Sequence, residues 1–366
     1  MKIIIISAFF TPEITPRAFR TTELVTELLK RNNEVTLYIP YKNYNYSELL
    51  TTYKNLIIKF LTSKELSPKL PIGKSIWKRA IRCLYYKYSQ LTCYPYIKLN
   101  KIIPGILKKD INSYDLMISI AAPHAIHWGC AIALENGFIK VNKWIADCGD
   151  PFMGDETQYH PSYFKKFENK FCSLANYITV PIDNAINAYY PEYRHKIKVI
   201  PQGFDFTKFM NLEINYSKNK VPTFAYAGSL YPGYRDLNAF VDFLSTIELD
   251  YQFIIYSPKS VLVDSYKKKL KEKLIIKDFI PRDDLLHQLS TMDFVINIEN
   301  KGKFQLPSKL IDYALIKRPV LSVSNSILHN DIIDFLNGNY DKKQIMPDIT
   351  YYDIKNVVDK FLNLYY

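Results

Sequence analysis

The sequence has little that would tie it to a metal, an oxidising compartment or a bilayer. Its five cysteines, Cys83, Cys93, Cys130, Cys148 and Cys172, are odd in number and scattered, with neither a CxxC pair nor zinc-type spacing. Reduced thiols in a cytoplasmic protein are the natural reading, and no metal site is expected. No stretch approaches the roughly 18 uninterrupted apolar residues of a membrane span. The opening MKIIIISAFF is apolar but short, ends in Thr11-Pro12-Glu13 and has no small-residue cleavage pattern, so it reads as a buried first strand rather than a signal peptide. There is no repetitive or Ser/Gly/Gln-rich tract to suggest a solenoid or a disordered tail. A GxGxxG fingerprint is absent, and so is any RRM, helix-turn-helix or zinc pattern of a nucleic-acid-binding module.

What is present suits two ordinary α/β domains. A chain of 366 residues, 48% hydrophobic and 23% charged, is too long for one core and globular in composition. The net charge of +12 is concentrated: residues 51–109 hold thirteen Lys and Arg against the single acid Glu65, so the remainder is close to neutral. One local basic patch is therefore expected, not a basic surface throughout. Within it, Trp77, Lys78, Arg79, Arg82 and Lys87 interleave aromatic and cationic groups along Ile76 to Lys87, as suits a helix lying on an anionic membrane surface. A solvated basic face over a packed helix is the plainer alternative.

The hydrophobic periods alternate between strand and helix. Lys2 to Ala8, Glu34 to Pro40, Tyr114 to Ala121, Lys143 to Asp147, Tyr177 to Val180 and Lys196 to Ile200 read as buried strands, and Arg17 to Arg31 as an amphipathic helix. A second series begins after the polar stretch Asn211 to Lys220, with strands Thr223 to Ala227, Gln252 to Tyr256, Asp293 to Ile298 and Pro319 to Val323. Helices over Arg235 to Ile247, Lys259 to Lys273, Arg282 to Thr291 and Pro307 to Ile316 separate them. The expected organisation is a first Rossmann-like domain over 1–200 carrying a basic insertion at about 51–109, and a second over 201–350. A terminal helix at 351–366 could pack on either. Each sheet would be parallel and doubly wound, with ligands at the carboxyl ends of its strands and a cleft where the two domains meet.

Motifs follow strands, as that arrangement requires. Gly228-Ser229-Leu230-Tyr231-Pro232-Gly233-Tyr234-Arg235 follows the first strand of the second domain, where glycines let the backbone approach a phosphate; Tyr234-Arg235 in place of Lys-Ser/Thr disfavours a Walker loop. In Gln305-Leu306-Pro307-Ser308-Lys309-Leu310-Ile311-Asp312-Tyr313, Pro307 suits a first helical position and puts Lys309 in the first turn. A cation there is mildly unfavourable for the helix itself but makes sense if a diphosphate binds between it and the free amides. Asp312, one turn on, can accept hydrogen bonds from ribose hydroxyls. A surface Lys-Asp pair is the alternative for these two.

The stretch QLPSKLIDYALIKRPVL resembles the PSKL-containing segment of GT-B glycosyltransferases of family GT4. So do Ala225-Tyr226-Ala227-Gly228-Ser229, Phe279-Ile280-Pro281-Arg282-Asp283-Asp284-Leu285, Phe9-Phe10-Thr11-Pro12-Glu13 with Arg17-Ala18-Phe19-Arg20, Pro123-His124-Ala125-Ile126-His127 and Trp144-Ile145-Ala146-Asp147-Cys148-Gly149-Asp150-Pro151-Phe152. These run in the family's order from residue 2 to about 325. Three positions depart from it: Thr15-Pro16 replaces a glycine pair, Gly149 stands where the family often has Arg, and Phe304 replaces the first glutamate of E-x7-E.

The resemblance implies two facing Rossmann-like domains with the active site between them. It also implies a retaining, metal-independent transfer of a sugar from a nucleoside diphosphate sugar, UDP or GDP, to an acceptor hydroxyl in assembly of a bacterial capsule, lipopolysaccharide or exopolysaccharide. His124, Arg235 and Lys309 are the expected catalytic residues, and Gly228, Ser229, Ser308 and Asp312 the donor-binding ones. Arg17, Arg20, His127, Asp147 and Asp150 are candidates for the acceptor side, with Asp150 also suited to bracing a turn ahead of Pro151. A lipid-linked or glycan acceptor would be met at the inner face of the cytoplasmic membrane, with Trp77, Lys78, Arg79, Arg82 and Lys87 as anchor. No nucleic acid partner is expected. Loss of the glutamate keeps open a non-catalytic nucleotide-sugar-binding or scaffold homologue, and the basic segment, more remotely, a nucleic-acid-binding protein.

Overall fold

The computed structural model describes residues 1–66, 68, 70–73, 75–155, 159–207, 218–233, 235–258, 260–298, 308–324 and 329–366, with the side chain of Ser308 left aside. Lys69, Lys74, residues 211–217 of the polar stretch, Tyr234, Lys259, and Phe304 to Pro307 lie outside the described residues. The chain divides into two compact units, Met1–Asp205 with Tyr351–Tyr366, and Phe206–Thr350.

The first unit is a sheet of β1 (Lys2–Ser7), β2 (Glu34–Ile39), β3 (Leu56–Phe60), β4 (Ser113–Ala121), β5 (Lys140–Cys148), β6 (Tyr177–Val180) and β7 (Ile197–Val199). The order is β3-β2-β1-β4-β5-β6-β7 and every pair is parallel. Four consecutive isoleucines in β1 show why both faces must be covered. The two-residue period sends Ile3 and Ile5 to one face and Ile4 and Ile6 to the other, and all four are fully buried. Each contributes about 1.5–3 kcal/mol by leaving water.

On the first face lie Leu24, Val25 and Leu28 of the helix Pro16–Lys30, together with Val357, Val358 and Phe361 of the terminal helix Ile354–Asn363. The former starts where Thr15 Oγ1 accepts from the Ala18 amide at 3.2 Å with Pro16 in the first turn; the latter starts at Asp353, which caps the Lys355 amide at 2.9 Å. The terminal helix thus completes the core of the first unit.

The basic stretch 51–109, expected as an insertion, is partly core. It supplies the edge strand β3, whose Lys59 ammonium pairs with Asp110 at 3.0 Å, and the helix Leu99–Leu107, which buries Leu99, Ile103 and Leu107. The helix Ile76–Thr92, by contrast, buries none of its residues.

The second unit consists of β8 (Thr223–Ala227), β9 (Gln252–Tyr256), β10 (Leu274–Lys277), β11 (Phe294–Ile298) and β12 (Val320–Val323), in the order β10-β9-β8-β11-β12, again all parallel. Phe224 at its centre stacks between Phe253 and Phe294, at 4.8 and 4.5 Å between ring centres. The helix expected from Arg235 starts later, at Asn238. Tyr231 and Arg235 exchange backbone hydrogen bonds at 2.7 and 2.8 Å around Gly233, whose φ of +74° a side chain would resist, so Arg235 sits in a closed turn before the helix.

In each sheet the winding reverses beside the first strand, between β1 and β4 and between β8 and β11. Chains leaving the carboxyl ends at such a switch point part to opposite faces and open a crevice. Pro123-His124 follows β4, Gly228-Ser229 follows β8, and the helix Ser308–Ile316 comes after β11.

Candidate functional site

In the second unit, Lys309 lies in the first turn of Ser308–Ile316 and reaches back to β8. Its ammonium donates to the Tyr226 hydroxyl at 3.1 Å and stands 4.5 Å from that ring's centre. It covers Gly228 so closely that a Cβ there would fall 2.0 Å from Nζ, and Gly228 holds φ at +139°. Burial, then the positive charge of Arg235, push the Lys309 pKa down to about 7, against the opposing pull of Asp312. Two cations are thus gathered beside a glycine turn, an arrangement that an anion stabilises.

Asp312 accepts from Arg282 Nε and Nη2 on its Oδ1, at 2.9 and 2.6 Å, while burial raises its pKa and Arg282 opposes the rise. Expected to meet ribose on its own, this carboxylate is already held by the first residue of the helix Arg282–Ser290. Arg282 and Tyr226 had no role in the sequence reading although both stand in quoted motifs. A sequence does not show that residues 226, 282, 309 and 312 converge.

In the first unit, His124 precedes the helix Ala125–Glu135, and its Nε2 lies 3.1 Å from the Asp150 carbonyl. A carbonyl only accepts, so Nε2 carries the proton and Nδ1 is an acceptor; Nδ1 has no partner among the described residues. Burial lowers the His124 pKa to about 4, so the ring is neutral at pH 7. Arg17 donates to the Ala121 carbonyl at 3.5 Å, and its guanidinium fills the space over Gly149, where a Cβ would come within 2.0 Å of it. A guanidinium is therefore present above residue 149, supplied by Arg17.

Three of the acceptor-side candidates are engaged inside the first unit. Arg20 and Asp147 form a buried two-point ion pair at 3.0 and 2.8 Å, with Thr179 adding a bond at 2.7 Å and the Pro201 carbonyl accepting from Arg20. His127 is fully buried between Ser119 Oγ at 2.7 Å and Cys148 Sγ at 3.3 Å, and Trp144 Nε1 donates to the same Ser119 oxygen. These residues brace strand ends. His124, His127 and Cys148 nonetheless bring three donor atoms within 4.8 Å of one another, the one cluster among the described residues whose atoms could hold a soft divalent metal. Burial raises the Cys148 pKa and so favours the thiol.

His124 borders a cavity of about 470 Å³ between the helix Ile76–Thr92 and the turn after β5, shared with Trp128, Asp150, Phe152 and His160. Another, of about 430 Å³, lies at the amino ends of β1 to β4, away from the switch point.

On Ile76–Thr92, Trp77, Ile81, Leu84, Tyr88 and Leu91 fall at helical spacing on one stripe, and all are exposed, Trp77 by 80%. Of its cations, Lys78 donates to the Ile72 carbonyl and Arg82 to those of Pro71 and Gly73. No helix among the described residues is long and apolar enough to cross a membrane.

Two parallel, doubly wound units in one chain define a Rossmann-like GT-B fold. Over nearly its whole length the chain is similar in structure to a glycosyltransferase from Rickettsia africae ESF-5, with 13% identity, 100% of this chain and 98% of that chain covered, and a TM-score of 0.64. It is similar also to the lipopolysaccharide outer core galactosyltransferase WaaB in its apo form, with 14% identity, 100% and 99% covered, and a TM-score of 0.60. Anabaena HepE in complex with UDP is a third, at 12% identity, 99% of both chains and a TM-score of 0.61. No family profile and no curated protein matches the sequence.

Proposed function

We propose that the chain is a retaining glycosyltransferase of the GT4 type, moving a sugar from a UDP- or GDP-sugar to a hydroxyl of a lipid-linked or glycan acceptor in assembly of a bacterial surface polysaccharide. The observation that carries this reading is the pairing of Lys309 with Arg235 beside Gly228 at the switch point of the second unit. As the bond from the anomeric carbon to the diphosphate breaks, negative charge grows on the departing oxygen and the sugar becomes oxocarbenium-like. Fixed cations, with the Ser229 amide, stabilise that charge more than they stabilise the bound donor, which lowers the barrier; Gly228, whose own amide donates to the Tyr256 carbonyl at 2.8 Å, contributes by lacking a side chain where the backbone must approach the phosphate. Ser308 stands at the helix start beside Lys309 as a further donor-binding residue. Asp312, steadied by Arg282, holds ribose hydroxyls through its remaining acceptor capacity.

Neutral His124 presents Nδ1 as an acceptor for a hydroxyl of the reacting sugars; Arg17 and Asp150 flank it. No metal takes part in the proposed chemistry. The apolar stripe of Ile76–Thr92 enters the headgroup region of the cytoplasmic membrane's inner face while Lys78, Arg79, Arg82 and Lys87 meet anionic lipid.

The deciding experiment screens UDP-, GDP-, ADP- and CMP-sugars by thermal shift and then measures transfer with the one that binds. Lys309→Ala should lower the rate by about a hundredfold with the fold intact, and EDTA should leave the wild-type rate unchanged. A wild-type rate in Lys309→Ala would refute the assignment. Activity lost to EDTA and restored by a divalent ion would turn attention to His124, His127 and Cys148. Tight nucleotide-sugar binding without turnover would indicate the non-catalytic homologue.

A further inference from the structure

The cavity beside His124 has a lining at odds with the rest of the molecule. In a chain of net charge +12, fifteen of the described residues line it and none of these is Lys or Arg; the formal charges among them are the carboxylates of Asp150 and Asp155. Burial of His124 and His160 disfavours a positive charge on either ring. Aromatic rings form much of the wall: Trp128 packs on Phe152 at 5.2 Å, and His160 stacks on Phe152 at 3.9 Å between centres. Three of the rings, His124, Trp128 and His160, each hold a buried nitrogen with no hydrogen-bond partner among the described residues. Such groups are normally matched, and a cluster of them around one cavity points to a ligand that brings its own hydroxyls.

Rings for stacking, unmatched nitrogens for hydroxyls and carboxylates as acceptors are the chemistry that recognises an uncharged sugar. Its volume lies within the roughly 300–1,000 Å³ usual for small-molecule sites. We infer that this cavity binds a neutral pyranose of the acceptor and rejects anionic sugars, because a uronate brought against Asp150 and Asp155 would meet like charge, the nearby Arg17 guanidinium being already opposed by Asp147 and Asp150. One wall comes from the helix Ile76–Thr92, through Tyr86, Ser89 and Gln90 on the face opposite its exposed apolar stripe. The inference rests on the glycosyl-transfer reading and adds the charge class of the acceptor.

The test uses the ¹⁵N-labelled full chain with a saturating nucleoside diphosphate, titrated with a panel of neutral methyl hexopyranosides and the corresponding methyl uronides. The chain has three tryptophans, so the indole N–H resonance of Trp128 is assignable and reports on this cavity. At least one neutral glycoside should shift it, and its uronide should bind at least about tenfold more weakly. His160→Ala should weaken the neutral glycoside by about tenfold while nucleotide affinity stays unchanged. Gln90→Arg, at an exposed position that should not disturb folding, should bring the uronide to within about threefold of the neutral sugar. A uronide that binds wild type as tightly as its neutral counterpart overturns the inference. So does a Trp128 resonance that no neutral glycoside moves, or sugar affinities that neither variant alters. Failure to bind any nucleoside diphosphate would instead refute the proposed function, and the sugar titration alone would still read the cavity.

Discussion

If Lys309 is the principal cation for the donor diphosphate, nucleotide affinity must follow its protonation. The fall of its pKa from 10.5 to about 7 corresponds to about 5 kcal/mol of differential interaction between the charged and neutral forms, from burial first and Arg235 second. A diphosphate placed beside the ammonium reverses that balance, so binding and proton uptake are linked. Below pH 7 the ammonium is already charged and affinity should be nearly flat. Above pH 7 each bound nucleotide must bring a proton with it, and affinity should weaken about tenfold per pH unit, reaching as much as about a hundredfold near pH 9. Isothermal titration calorimetry of UDP or GDP in buffers of different ionisation enthalpy should show close to one proton taken up per site at about pH 8.5. Lys309→Met should bind weakly at every pH with no proton uptake. The free protein should show the opposite trend. Between pH 7 and 10.5 the unfolded chain binds a proton that the folded chain does not, so this lysine makes stability rise with pH through that window. Affinity independent of pH, or the same slope in Lys309→Met, would refute the reasoning.

Three other outcomes follow from the geometry. Asp147→Ala should destabilise the first unit by about 3–5 kcal/mol in denaturant unfolding, because it strands the Arg20 guanidinium in a site with 3% exposure; a loss under 1 kcal/mol would contradict its bracing role. His124→Ala should reduce turnover more than donor affinity, its free acceptor being in the first unit and the phosphate-binding cations in the second, and equal losses in both constants would argue against it. Replacing Lys78, Arg79, Arg82 and Lys87 by Glu should abolish sedimentation with anionic liposomes but spare transfer to a water-soluble acceptor. Each cation contributes about 1 kcal/mol near such a surface, so a wild type that ignores these liposomes at low salt would dispose of the docking.

The sequence by itself determined the alternation of strands and helices, the parallel sheets and the positions of the motifs. Each of these is written in local pattern. Four β-branched isoleucines in a row, bounded by turn residues, suit a strand covered on both faces, and strands Thr223–Ala227 and Gln252–Tyr256 are bounded by the chain's own apolar periods. The edge strands β3 and β10 escaped notice because Lys59 and Lys277 interrupt short apolar runs, in keeping with the exposed border of a sheet. Tertiary structure alone decided what each polar residue does. Arg20 and Arg17 are three residues apart on one helix, yet one is locked to Asp147 and the other lies over Gly149. His124 and His127 are likewise three apart, and only His124 borders the cavity. A side chain's role depends on which partner, from another strand or loop of the fold, takes it out of water first, and local sequence pattern does not record that competition.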